Sequence, residues 1–173
     1  MTADEIAALL GMVLLPGEGG RWVQTLLDDR SSAILYLLSD GDFSAMHRLD
    51  ADEIYHHYAG DPVEMLFLDP DGSVDRPVLG SDLEAGQRPQ LVVPVGVWQG
   101  SSTLGQWSLL GTTMAPPYSD EGFELGERDR LVDGWPAAAG RIEHRRYDLA
   151  VAGAAAQHAA QGVHDLGFLG RWI

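Results

Sequence analysis

His47 and Glu53 are the two residues of this chain best suited to moving a proton, and the glycines around them indicate how they are held. Five residues separate Gly41 from His47, five separate His47 from Glu53, and six separate Glu53 from Gly60. That spacing predicts a turn, an imidazole on one strand, a tight reversal, a carboxylate on the next strand and a closing turn. Side chains alternate across a strand, so His47 shares a face with Leu49, and Glu53 shares one with Tyr55 and His57. A hairpin that sets these faces opposite each other points His47, Glu53, Tyr55 and His57 into one cavity. The later run from Pro94 to Gln99 falls where a further strand pair delivers one more polar group, Gln99, to the same place.

An imidazole beside a carboxylate in a partly desolvated cavity can act as a base near neutral pH, while a tyrosine such as Tyr55 or Tyr36 returns a proton on the other side of a substrate. This is the chemistry of an isomerase, epimerase, cyclase or lyase that abstracts a proton next to a carbonyl. On this reading His47 and Glu53 are catalytic, Tyr36, Tyr55, His57 and Gln99 bind a small polar metabolite, and no cofactor is needed. Two alternatives stand beside it. Two imidazoles and a carboxylate suit a divalent metal, with His47, Glu53, His57 and Gln99 as ligands of a dioxygenase-like enzyme. Or His47 and Glu53 merely satisfy each other in a polar cavity that binds a small ligand without turnover.

The elements that must position these groups are mostly short strands. Candidates run over residues 22–27, 32–38, 45–49, 53–58, 63–68, 74–78, 90–94, 97–101 and 107–114, broken by Asp-, Gly- and Pro-rich turns. Many short strands at such intervals predict a sandwich or barrel. A helix over residues 2–10 precedes them, with Thr2 and Glu5 as a capping box and Gly11 as its stop. Residues 116–135 read as an acidic loop anchored by Tyr118 and Phe123. Beyond Pro136 the chain is Ala-rich and reads as one or two helices weakened by glycines, and its apolar end, residues 166–173, is expected to dock on the barrel or on a partner subunit.

The ordered blocks Glu18-Gly19-Gly20, residues 33–38, His47-Arg48-Leu49, residues 52–55, 59–62 and 79–83, and Val93 to Gln99 resemble the cupin superfamily, and within it the small cupin-5 family. The resemblance spans roughly residues 2–130. It implies an all-β double-stranded β-helix, the jelly-roll barrel, with a short N-terminal helix. Residues 1–136 are then the barrel and 137–173 an appended helical C-terminal extension. It also implies a homodimer. The chain departs from the general cupin pattern in two places: Leu49 stands where a second histidine belongs, and Gln99 replaces the histidine of the second motif. The usual metal shell is therefore half present, which favours the metal-free reading.

Composition narrows the chemistry further. The chain has 173 residues, 45% of them hydrophobic, enough for one domain with a sizeable core. All 11 basic residues are arginine; lysine and cysteine are absent, which excludes Schiff-base, thiolate and disulfide chemistry. A net charge of −15 argues against nucleic-acid partners. No apolar run approaches the roughly 20 residues that span a membrane, and no signal-peptide pattern opens the chain, so a cytoplasmic location is expected.

Overall fold

The computed structural model describes residues 1–144, without the side chains of Glu143 and His144. Helix α1 (Ala3–Leu10) starts at Thr2, whose hydroxyl accepts from the Glu5 amide while the Glu5 carboxylate accepts from the Thr2 amide, and it ends at Gly11 in the left-handed region. Ile6 and Ala7 bury its inner face against Leu37 and Met12. Twelve strands follow: β1 (Val13–Leu14), β2 (Arg21–Leu27), β3 (Ser32–Ser39), β4 (Phe43–Leu49), β5 (Glu53–Gly60), β6 (Val63–Leu68), β7 (Val74–Asp75), β8 (Val78–Leu79), β9 (Gln90–Val93), β10 (Trp98–Thr103), β11 (Trp107–Met114) and β12 (Phe123–Leu125). Helices α2 (Arg128–Gly134) and α3 (Ala139–His144) close the described chain.

The strands form two antiparallel sheets. The first runs β1-β2-β3-β11-β5-β9 and the second β12-β4-β10-β6-β7, with β8 added beside β6. Each sheet puts alternate residues inward, and these meet in a core that includes Leu38, Val63, Met65, Phe67, Val93 and Leu110. Burying each such side chain stabilises the fold by about 1.5–3 kcal/mol. The outer face of the second sheet is apolar as well. Met46, Leu66, Leu68 and Trp98 lie there under Leu131, Ala138 and Ile142, and the Trp135 indole donates to the Asp69 carbonyl at 3.0 Å. Ala138 and Ile142 of the predicted C-terminal extension therefore pack on the barrel; the part beyond residue 144, including its apolar end, lies outside the described residues.

Most predicted strands appear within two residues of their expected ends. Three differences have plain causes. The stretch expected at 74–78 breaks into β7 and β8, because Arg76 and Pro77 interrupt it and Pro77 has no amide to donate. The region 116–135 contains β12 and α2 rather than loop alone. Strand β12 is three residues long and pairs with β4, placing Phe123 beside Leu49, and α2 is seven residues long, so neither is long enough to show a periodicity. Strand β1 is a two-residue pairing, equally invisible.

Candidate functional site

The second sheet delivers an imidazole and an amide side by side. His47 on β4 lies opposite Gln99 on β10 in register, and one step further the register shifts, so that Ser101 pairs with Ser44. The bulge puts an extra residue of β4 opposite Gly100 and lets His47, Gln99, Ser101 and Ser44 share the inner face while Met46 and Trp98 face out. From the first sheet, Glu53 and Tyr55 on β5 point inward, and Thr112 on β11 lies opposite Tyr55. Gln99 Nε2 donates to Glu53 Oε2 at 2.7 Å. That bond crosses the barrel from sheet to sheet and fixes the Gln99 amide with its carbonyl oxygen free.

The polar cluster is nearly sealed. His47 is 2% exposed, Glu53 6%, Gln99 1% and Ser101 0%. Gln99 Oε1 and Ser101 Oγ are fully buried and have no hydrogen-bond partner. An unpaired buried polar atom costs about 1–3 kcal/mol, so these two are the groups of the cluster that the folded chain leaves unsatisfied.

Sequence reasoning missed Glu18 among the site residues. The turn Pro16 to Gly20 folds over the barrel end, held by the Ala45 amide donating to the Glu18 carbonyl at 2.7 Å and by the Tyr36 hydroxyl donating to the Gly19 carbonyl at 2.8 Å. Gly20 has φ 67° and a Cβ there would sit 2.7 Å from the Tyr36 oxygen, so only glycine closes this turn. The Glu18 carboxylate then reaches inward, accepting from Ser44 Oγ at 2.8 Å and lying 3.9 Å from His47 Nδ1. Its only signal in the sequence was membership of the Glu-Gly-Gly block. Nothing in the spacing placed it beside His47.

His47 Nδ1 donates to the Ala45 carbonyl at 2.8 Å, since a carbonyl oxygen can only accept. The ring is also stacked on Phe123, with centroids 5.3 Å apart. Nδ1 thus carries a proton, and Nε2 is the ring nitrogen left to exchange one. The group that orients His47 is this carbonyl, with the Glu18 carboxylate 3.9 Å from the same nitrogen. Burial pushes the Glu53 carboxyl above its ordinary value; the neighbouring His47 pulls it down, Glu18 pushes it up, and hydrogen bonds from Thr112 and Gln99 pull it down. Burial likewise holds the Tyr36 and Tyr55 phenols neutral, aided at Tyr36 by the charge of Glu18 and at Tyr55 by that of Glu53.

His57 is not gathered into this cluster. Tyr58 forms a bulge against β11, and His57 Nε2 donates to the Asp61 carbonyl at 3.2 Å, toward the far end of the strand. His56 and Tyr58 stack on the outer face, 6.2 Å apart. Arg48 also points outward, pairing with Glu124 at 2.5 Å and covering Trp98.

The donors present do not fit a first-row metal shell. Leu49 occupies the inner-face position two residues after His47, Gln99 turns its nitrogen to Glu53, and His57 is engaged elsewhere. Among the described residues no three His, Asp or Glu side chains are placed to hold a metal ion together. A separate cleft of about 520 Å³ is lined by Asp75 and Arg76 near the β7 edge and by Val92 and Pro94 near the β9 edge; its lining includes the core residues Phe67 and Val97 but not His47, Glu53 or Gln99. Among the described residues no helix is long and apolar enough to cross a membrane.

Several solved structures share this architecture. A protein from Shewanella oneidensis is 29% identical, with a TM-score of 0.79 over 85% of this chain and 98% of its own. A hypothetical protein from Leishmania major is 24% identical, with a TM-score of 0.77 over 86% of this chain and 100% of its own. The oxalate decarboxylase of Bacillus subtilis is similar in fold alone, at 10% identity and a TM-score of 0.52 over 78% of this chain and 37% of its own. No curated protein matches the sequence. Residues 4–126, from α1 through the last barrel strand, match the family described as Cupin superfamily (DUF985), and the chain belongs to that family.

Proposed function

We propose that the protein is a small-molecule enzyme of the isomerase, epimerase, cyclase or lyase type, working by metal-free proton transfer between His47 and Glu53. The observation that carries this reading is the bond from His47 Nδ1 to the Ala45 carbonyl, 2.8 Å long, which leaves Nε2 as a preset base inside a closed barrel. When Nε2 takes a proton from carbon next to a carbonyl, the imidazolium that forms is met by the Glu18 carboxylate, 3.9 Å from Nδ1. Glu53, raised by burial, holds its proton to higher pH than an exposed carboxyl and supplies it to the oxygen or carbon that gains charge. A base made available by its tautomer and an acid made available by desolvation are the two halves of such a reaction.

The test is exchange of the carbon-bound hydrogen next to the carbonyl in a panel of aldoses, ketoses and 2-oxo acids in heavy water, followed by NMR. The wild-type protein is expected to catalyse exchange in at least one member. His47→Asn and Glu53→Gln are each expected to slow it by about 10²–10⁴-fold. Prior chelation with EDTA is expected to leave the rate unchanged. A rate lost on chelation and restored by a divalent metal would replace this reading with the metal-dependent one.

A further inference from the structure

The cleft of about 520 Å³ lies between the edges of the two sheets, with β7 at the end of the second and β9 at the end of the first. Pro77 lies just beyond β7 and Pro94 just beyond β9; neither has an amide to donate, so the two edges do not zip together and the gap stays open. Its floor is apolar. Phe67 and Val97 are core side chains, 8% and 4% exposed, and the exposed Val92 and Pro94 form one wall. In volume, and in combining an apolar floor with a few charged groups, the cleft matches those that hold small molecules.

The charged groups are Arg76, Asp75 and Asp69. Asp75 lies opposite Phe67 in register, which sets a carboxylate beside the ring. Partial burial and the charges of Asp71 and Asp75 raise the Asp69 carboxyl, so negative charge is in excess along this wall. Among the described residues Arg76 is the one arginine whose side chain has neither a hydrogen bond nor an ion pair. Every other described arginine pairs with a carboxylate, except Arg88, which donates to the Gly86 and Gln87 carbonyls. In a chain with 26 acidic and 11 basic residues, the one unengaged guanidinium therefore lines an apolar cleft.

A simple carboxylic acid placed here would meet Arg76 but set its charge against two carboxylates. A simple amine would meet Asp75 and be repelled by Arg76. A molecule carrying both charges and an apolar body gives each part of the lining a partner. Asp75 and Arg76 are consecutive, with Cα atoms about 3.8 Å apart, which suits two charges carried on one carbon. We infer that this cleft binds an apolar α-amino acid, with its carboxylate on Arg76, its ammonium on Asp75 and its side chain over Phe67 and Val97.

The experiment measures binding of five probes to the whole protein by NMR titration and calorimetry: leucine, phenylalanine, N-acetyl-leucine without the ammonium, leucinamide without the carboxylate, and glycine without the apolar body. Leucine or phenylalanine is expected to bind at least about ten-fold more tightly than the other three. Arg76→Gln is expected to weaken that binding by about ten-fold without weakening that of leucinamide. It is also expected to leave the melting temperature unchanged, because an exposed side chain with no partner has no contact to lose. No binding by leucine or phenylalanine, leucinamide or N-acetyl-leucine bound as tightly as leucine, or leucine binding indifferent to Arg76→Gln would each overturn the inference. The cleft shares no residue with the cluster of His47, Glu53 and Gln99, so amino-acid binding and hydrogen exchange are separate readouts that stand or fall apart.

Discussion

At the scale of the residue, Glu53 is the most sharply defined group. Its folded-state carboxyl holds a proton above the ordinary value of 4.5, burial being the largest cause. The stability linked to that proton is fully present below about pH 4.5 and is lost as pH rises through the folded-state value, at no more than about 1.4 kcal/mol per pH unit. Glu53→Gln keeps an acceptor for Gln99 Nε2 and removes the titration. As pH rises above about 4.5 the melting temperature of the wild type is therefore expected to fall relative to that of Glu53→Gln, the gap widening until the folded-state value is passed. Parallel curves would mean that Glu53 is not desolvated in solution. Tyr36 illustrates the opposite lesson. As a phenol in a predicted cavity it reads as a substrate contact, yet its proton goes to the Gly19 carbonyl, so its evident task is to hold down the turn that carries Glu18.

At the scale of the element, the Pro16 to Gly20 turn decides whether the site exists. It is tied to the barrel by three hydrogen bonds, from Ala45, Tyr36 and Ser44, and by the absence of a side chain at Gly20. Gly20→Ala introduces both a positive-φ penalty and a clash with a fully buried tyrosine, so it is expected to cost about 1–3 kcal/mol by thermal or urea unfolding. The same change should slow any hydrogen exchange on carbonyl substrates, because Glu18 is displaced from His47. A stable variant with an unaltered rate would remove Glu18 from the site. The helices α2 and α3 act on the other side of the same sheet: by covering Met46 and Trp98 they give β4 and β10 a buried back, which holds the inner-face residues His47 and Gln99 in register.

At the scale of the whole molecule, charge dominates. With a net charge of −15 and 11 basic residues, all arginine, the surface repels itself more than its scattered ion pairs attract. Raising sodium chloride from about 10 to 300 mM shortens the screening length from roughly 30 Å to below 8 Å. The melting temperature is expected to rise over that range, and a fall would show that the surface ion pairs outweigh the repulsion. The same field repels polyanions from the whole surface.

The sequence by itself determined the barrel and the two strands that carry His47 and Glu53, although the expected hairpin between them does not form: β4 and β5 lie in opposite sheets, and the two residues face each other across the barrel. Those depend on period-two patterning and on glycine and aspartate turns, which act over a few neighbouring residues and can be read from them. It also placed Gln99 on a later strand aimed at the same interior. What only the tertiary structure decided are the partners: that His47 is oriented by Ala45 with Glu18 nearby, that Gln99 bridges the sheets to Glu53, and that His57, on the same face as Tyr55 but further along β5, spends its Nε2 on the Asp61 carbonyl. The spans Glu18 to His47 and Glu53 to Gln99 are closed by the winding of two sheets, and a one-residue bulge redirects a side chain without any mark in composition. Strand patterns specify faces; which faces meet, and at what height, is settled by packing.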